Sequence, residues 1–248
     1  MATVEPIPGE PAAIADIEGE PALVIADVHA GIEAAFRAER GLSLDSRAEQ
    51  RRERIGRLLA EHGATQLVVL GDLMHSIGAP GGAERGEIEV LLESLPGHVD
   101  VTLVKGNHDG DIESWIENVT VTDGGGVRLG SVGFVHGHTW PDPDVLAADI
   151  VCVGHEHPQV RLEDDVGGSR AERIWLRGDL DRTAFAERYD PAAIRATELI
   201  VCPAFNELVG GTWVNTNDEF LSPFLPTGIA DAQAYLLDGA RLGAFDSI

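Results

Sequence analysis

The feature that most constrains this chain is a series of short β-branched runs, each of which ends abruptly in a polar cluster. The first five are ALVIADVH (22–29), QLVVLGD (66–72), VDVTLVKGNHD (99–109), VGFVHGH (132–138) and DIVCVGHEH (149–157). RIWLRGD (173–179), ELIVCPAFN (198–206) and AYLLDG (234–239) follow. Continuous apolar runs of this length suit strands buried on both faces, in a sheet covered by helices or by a second sheet. Between the first two runs, Ser46 with Glu49 reads as a capping box. Ile55, Leu58 and Leu59 form an apolar stripe and Gly63 a stop, which predicts a helix. A second helix is expected over 84–94, before Pro96, and Gly124, Gly125 and Gly126 mark a turn. The order is β-α-β-α-β followed by a β-rich half. Residues 1–20, rich in Pro, Glu and Ala, read as a loosely packed lead-in to one domain over 21–248.

The polar clusters are chemically of one kind. They are Asp27-Val-His29, Gly71-Asp72, Gly106-Asn107-His108-Asp109, His136-Gly-His138 and Gly154-His155-Glu-His157. Side chains at the carboxyl ends of sheet strands converge on one crevice. Carboxylates, an amide and imidazoles without thiolates form a mixed nitrogen and oxygen set, which suits Mn²⁺, Fe or Zn²⁺ better than Ca²⁺ or an iron–sulfur cluster. Cys152 and Cys202 lie inside apolar runs and read as buried small hydrophobes.

In this order, D-x-H, G-D, G-N-H-D, H-G and G-H-x-H, the clusters resemble the calcineurin-like metallophosphoesterases over Asp27 to His157. GDLMHS and CPAFNELVGG are similar to one branch of that family, predicted phosphoesterases related to a DNA-ligase-associated repair endonuclease. A lysine often follows D-x-H-x-G in that branch, whereas Ile32 stands here, so any phosphate contact by that lysine is missing. The resemblance implies a four-layer α/β/β/α sandwich and a dinuclear site with Mn²⁺ the expected pair and Fe or Zn²⁺ as alternatives. Asp27, His29 and His157 would hold one metal, Asn107, His136 and His155 the other, and Asp72 would bridge them about 3.5–4 Å apart. A metal-bridging hydroxide would attack phosphorus. His108 would donate a proton to the leaving group, and Asp109 would orient His108. His138 is expected to face substrate. The implied activity is phosphoester hydrolysis, expected on a diester and conceivably nuclease-like. A phosphomonoesterase and a catalytically inactive interaction scaffold are the alternatives, and the presence of His108 argues against the scaffold.

Charge adds a second constraint. Forty-two acids against 18 bases give a net charge of −24, and Lys105 is the only lysine. Such a surface repels nucleic acid at low salt and resembles adaptation to high salt, where charges are screened. One stretch departs from it. Arg37, Arg40, Arg47, Arg51, Arg52, Arg54 and Arg57 fall among only four acids. Arg47, Arg51 and Arg54 share a helix face away from the apolar stripe. That face reads either as a solvated surface with i,i+4 pairs or as a landing strip for a polyanionic substrate. His75 reads either as cleft-facing or as a plain loop residue, His62 and His98 as structural, and Gly178-Asp179 as an ordinary strand end. The loop at 78–86 lacks the G-K-[ST] ending of a phosphate-cradling loop. No apolar stretch approaches a membrane span and no secretory pattern opens the chain, so a soluble, cytoplasmic protein is expected, its oligomeric state open.

Overall fold

The computed structural model describes residues 3–163, 167–216 and 219–248. Two sheets stack face to face. The first has strands β1 (Val4–Pro6), β2 (Ala12–Ile17), β3 (Glu20–Ala26), β4 (Gln66–Leu70), β5 (Asp100–Val104) and β6 (Val119–Thr122), side by side in chain order. The pairs from β3 to β6 are parallel. Helices α1 (Ile32–Arg40), α2 (Ala48–His62) and α3 (Gly82–Ser94) follow β3 and β4. The second sheet contains β7 (Val127–Leu129), β8 (Val132–Val135), β9 (Ile150–Val153), β10 (Gln159–Glu163), β11 (Ser169–Leu180), β12 (Glu198–Val201), β13 (Ile229–Leu236) and β14 (Arg241–Ala244). Its order is β14-β13-β11-β12-β9-β8-β7, with β10 paired to β11. β8, β9 and β12 are parallel neighbours at its centre.

Three apolar clusters fill the layers. Ile55, Leu58 and Leu59 of α2 and Ile88 of α3 pack on Leu23, Leu67, Val69 and Leu103 of the first sheet. Val24, Val68, Phe134, Cys152, Trp175 and Ile200 meet between the sheets. A third cluster covers the outer face of the second sheet, with Phe185, Phe224 and Leu146 of the short helix α4 (Pro143–Leu146). The four-layer sandwich is present, but its last layer is thin, made of single turns and loops where the first has three helices.

Two expectations need correcting. Of the lead-in expected over 1–20, the described residues 3–20 are not loose, because β1 and β2 extend the first sheet and Val4, Ala13 and Ala15 are fully buried. Alternation of small residues hides these strands in a composition that reads as linker. The predicted capping box does not form either. α2 starts at Ala48 with Arg47 as its cap, and Ser46 Oγ accepts only from Ala48 N, at 3.3 Å. Its other end behaves as expected, with Gly63 left-handed at φ 59° and its N–H turned back to Leu59 and Ala60.

The arginine face of α2 is spoken for by acids from elsewhere in the chain. Arg51 is buried and its guanidinium donates to Glu33 of α1 (2.7 and 3.0 Å) and to Glu87 of α3 (2.8 Å). Arg54 and Arg57 share Glu10, and Arg47 pairs with Glu207. Arg51 therefore cannot be a substrate contact; it fastens three helices together. Burial alone would raise the pKa of Glu33, but the hydrogen bonds from Arg51 outweigh it and hold the carboxyl below its ordinary value. Arg51→Ala would leave the buried Glu33 and the half-buried Glu87 carboxylates without their shared partner. It should cost about 3–5 kcal/mol, measured by urea unfolding. Arg85→Ala, which removes an exposed i,i+4 pair with Glu89, should cost about 1 kcal/mol or less.

Candidate metal centre

The polar clusters meet where the carboxyl ends of β3, β4 and β5 face those of β8 and β9 across the seam between the sheets. Three groups of donors lie with their atoms within 4.8 Å of one another: Asp27, His29 and His157; His29, Asp72 and His108; Asp72, His136 and His155. Asn107 joins the last group, its Oδ1 3.2 Å from His136 Nε2. The structure thus gathers every residue expected to hold metal.

The backbone that does this is unusual. Asp27, His29, Asp72, His155 and His157 all adopt a left-handed conformation, with φ of 55°, 46°, 47°, 67° and 45°. For a residue with a Cβ this conformation costs about 1–3 kcal/mol and survives only where the surroundings over-determine it. In both D-x-H and H-x-H the left-handed residues flank one whose side chain points elsewhere. Val28 enters the core under the helices, and Glu156 is wholly buried on the opposite side. Asp27 N donates to Gly71 O (3.2 Å) and His29 N to Asp72 O (2.8 Å), so the first two loops hold each other. Two glycines let them approach. A Cβ on Gly106 would lie 2.2 Å from Asp72 Oδ1, and one on Gly71 would lie 2.3 Å from His136 Nδ1.

The imidazoles are aimed from behind. His136 Nδ1–H donates to Leu70 O (2.8 Å), His157 Nδ1–H to Gly210 O (2.7 Å) and His108 Nδ1–H to His75 O (2.5 Å). A carbonyl behind Nδ1 fixes the tautomer and turns the Nε2 lone pair into the centre, the usual support of a metal-binding histidine. The consequence is repulsion. His136 Nε2 faces Asn107 Oδ1 at 3.2 Å and Asp72 Oδ1 at 3.5 Å, acceptor against acceptor. His157 is the exception, for its Nε2 pairs with Asp27 Oδ1 at 3.3 Å while lying 3.5 Å from His29 Nε2. Burial, with Asp27 adding its charge, lifts the pKa of Asp72 to about 6. Burial lowers His29 to about 2 and His155 to about 3, which leaves both neutral. His157 goes the other way: burial opposes its charge, but Asp27 beside it raises it to about 9. Even with His157 charged, two carboxylates leave the donor volume short of positive charge, and divalent cations fit that deficit.

The family comparison decides the identity, for the family model described as calcineurin-like phosphoesterase matches residues 21–194. The chain belongs to the calcineurin-like phosphoesterases. Among solved structures, nuclease MPE from Pseudomonas putida is similar in fold at 23% identity, over 97% of this chain and 100% of that one, with a TM-score of 0.56. Yfce, a phosphoesterase from E. coli, aligns at 22% identity over 58% of this chain and 73% of its own, with a TM-score of 0.37. No curated protein matches the chain.

Within this family member, several residues sit otherwise than the motifs suggest. Asp109 does not touch His108. It is fully buried, and its carboxylate accepts from Gly106 N (2.8 Å) and Met74 N (3.1 Å), which ties the G-N-H loop to the loop after β4. Its neighbour is oriented by the His75 carbonyl instead. His75 is drawn into the site as well: its ring stacks on His108 at 6.0 Å, and its Nδ1 lies 3.4 Å from His29 Nδ1. Glu84 of α3 holds that loop by accepting from His75 N (2.6 Å) and Ser76 N (2.8 Å). His138 lies against His136 and His155, and its buried Nδ1 has no partner. Asn206 was missed altogether. It is buried and donates to Val28 O (2.8 Å), locking the D-x-H loop to the strand end after β12. Its only sequence signal is a lone polar residue closing an apolar run.

Asp72 belongs to two of the three donor groups. Asp72→Asn should lower the manganese bound per chain at saturation by at least one equivalent, measured by elemental analysis, while the circular dichroism spectrum stays unchanged. Gly106→Ala should reduce bound metal as well, through the displaced Asp72 carboxylate. A full metal content in both variants would remove Asp72 from the centre.

Proposed function

We propose that this chain is a divalent-metal-dependent phosphodiesterase, with Mn²⁺ the preferred ion. The observation that carries the reading is the convergence of the three donor groups, overlapping at His29 and Asp72, on a buried volume short of positive charge. One cation would be held by Asp27, His29 and His157, the other by Asn107, His136 and His155, with Asp72 between them. Bound there, two divalent ions would supply positive charge for the phosphoryl oxygens and make an attacking water acidic enough to ionise near neutral pH.

What the side chains contribute follows from their supports. His108 Nδ1 is committed to the His75 carbonyl, so Nε2 is the atom that faces the site, 3.8 Å from Asp72 Oδ2. With a proton on Nε2 it neutralises developing charge and delivers that proton to the leaving oxygen. His75 and His138 flank the donors on two sides and are placed to touch substrate oxygens.

A diester is favoured over a monoester by the charge in the pocket. The groups acting most strongly on Asp27, Asp72, His29 and His155 are one another and other histidines, with no lysine or arginine among them. A dianionic monoester would meet the metals with no lysine or arginine beside them, whereas a monoanionic diester asks for less positive charge. Arg47 and Arg54 remain at the surface, but each is paired to a carboxylate, so neither is assigned to substrate.

With Mn²⁺, hydrolysis of bis-4-nitrophenyl phosphate should exceed that of 4-nitrophenyl phosphate, and a chelator should abolish both. His108→Ala should keep its metals and lose about 10²–10⁴-fold in kcat on a diester with a poor leaving group. The loss should be smaller with 4-nitrophenolate, which leaves without a proton. A variant at wild-type rates on both would strip His108 of this role, and a preference for the monoester would replace the diesterase reading by a phosphatase.

A further inference from the structure

A groove of about 740 Å³ begins at His157 and runs away from the donor cluster. One wall carries Trp213 after Gly210 and Gly211; the other carries Phe220, Leu221 and Leu225. Leu221 is 58% exposed, one of few large apolar side chains so open among the described residues. The groove's lining residues include no lysine or arginine, Glu219 stands at its edge, and Arg161 approaches only against the Trp213 ring. Such a surface repels a phosphate backbone and offers ring faces and methyl groups.

Both walls are fixed to the metal-ligand loop through Glu156. This carboxylate, wholly buried between His155 and His157, accepts from Thr212 Oγ1 (2.7 Å), Leu221 N (3.1 Å) and Ser222 N (2.7 Å). The backbone is tied too, through Thr212 N to Glu156 O and Gln159 N to Thr212 O, each 2.9 Å. The Arg161 guanidinium lies over the Trp213 ring, 5.6 Å from its centroid, and helps hold the ring in place. The groove is therefore built at a set distance from His157.

From this continuity we propose that the groove is a subsite for a nucleobase attached next to the scissile phosphate, which makes the substrate a nucleotide diester or a single strand. The inference rests on the phosphodiesterase reading. An ester held at the donor cluster must send one substituent past His157, and the groove takes one that is planar, uncharged and apolar on its faces. Stacking on aromatic side chains is how unpaired bases are held without sequence preference. A base inside the groove has left its own stack, so a duplex interior is excluded unless it opens. Glu156 is a positioning residue, since it acts only through the two walls.

The test compares an oligothymidylate with an oligomer of equal length and charge whose sugars are abasic. Activity on bis-4-nitrophenyl phosphate with Mn²⁺ comes first, and its absence would defeat the phosphodiesterase reading by itself. Given that activity, wild type should cleave the base-bearing strand with a kcat/KM about tenfold above the abasic one. Trp213→Ala should erase that ratio while leaving the abasic rate unchanged, and Trp213→Phe should restore much of it. With Mn²⁺ retained and turnover suppressed by His108→Ala, fluorescence anisotropy should show the same loss of preference in Kd when Trp213→Ala is added. Equal wild-type rates on the two strands, or a Trp213→Ala effect that falls equally on both, would overturn the subsite.

Discussion

Acceptor crowding at the seam between the two sheets is the constraint on which the rest of this structure depends. Two carboxylates, an amide oxygen and several imidazole nitrogens are pressed into one largely buried volume, where backbone N–H groups and His157 satisfy only part of the acceptors. Unpaired buried acceptors are costly, and like charges held close are costlier. Strain adds to this, since five donors stand on left-handed backbone at about 1 kcal/mol or more each. Against a typical folding free energy of about 5–15 kcal/mol, that is a large local debit. Divalent cations held there would reverse the sign of that crowding, and their binding would be coupled to stability.

The same atoms join the two halves of the fold. Asp27, at the end of β3, accepts from His155 N of the second sheet at 3.1 and 3.3 Å. His136 reaches back to Leu70 O of the first sheet, and Phe205 N and Asn206 Nδ2 return to Ala26 O and Val28 O. The sheets are packed by Val68, Phe134, Cys152 and Trp175, but apolar packing tolerates sliding. These crossing hydrogen bonds set the register. A substitution far from the donors that lets one sheet shift on the other would therefore show itself first as lost metal.

What could be read from sequence was whatever is local. Each donor motif is a strand end, and the apolar run before it announces the strand, so the donor cluster and its crevice were legible. α2 and α3 were legible for the same reason, through an apolar stripe and a stop. Roles that depend on a partner elsewhere in the chain were not. Asp109 stands beside His108 in sequence yet turns to Met74, because the loop after β4 has backbone N–H groups to satisfy. Arg51 looked solvent-facing on a helical wheel, but α1 and α3 bring Glu33 and Glu87 over it. Glu156 occupies the variable position of G-H-x-H, where nothing in the motif signals a clamp. β1 and β2 escaped because small residues at alternate positions carry little hydrophobic signal, even when fully buried.

The charge of the chain can now be set against its chemistry. A net charge of −24 opposes any polyanion, and the arginine-rich helix, which alone promised a counterweight, is internally neutralised by Glu10, Glu33, Glu87 and Glu207. Phosphate contacts by lysine and arginine give most nucleic-acid binders their affinity and its steep fall with salt. A strand held here would lack them. Its attraction would be concentrated at one phosphate between two cations and at one base beside His157. Such binding is short in reach and weak along the strand, and little of it is lost as salt rises, because few counterions are released. The acidic surface and the apolar groove are then compatible: the first would deny the protein a grip on nucleic acid in general, and the second would let it hold a single nucleotide beside the donor cluster.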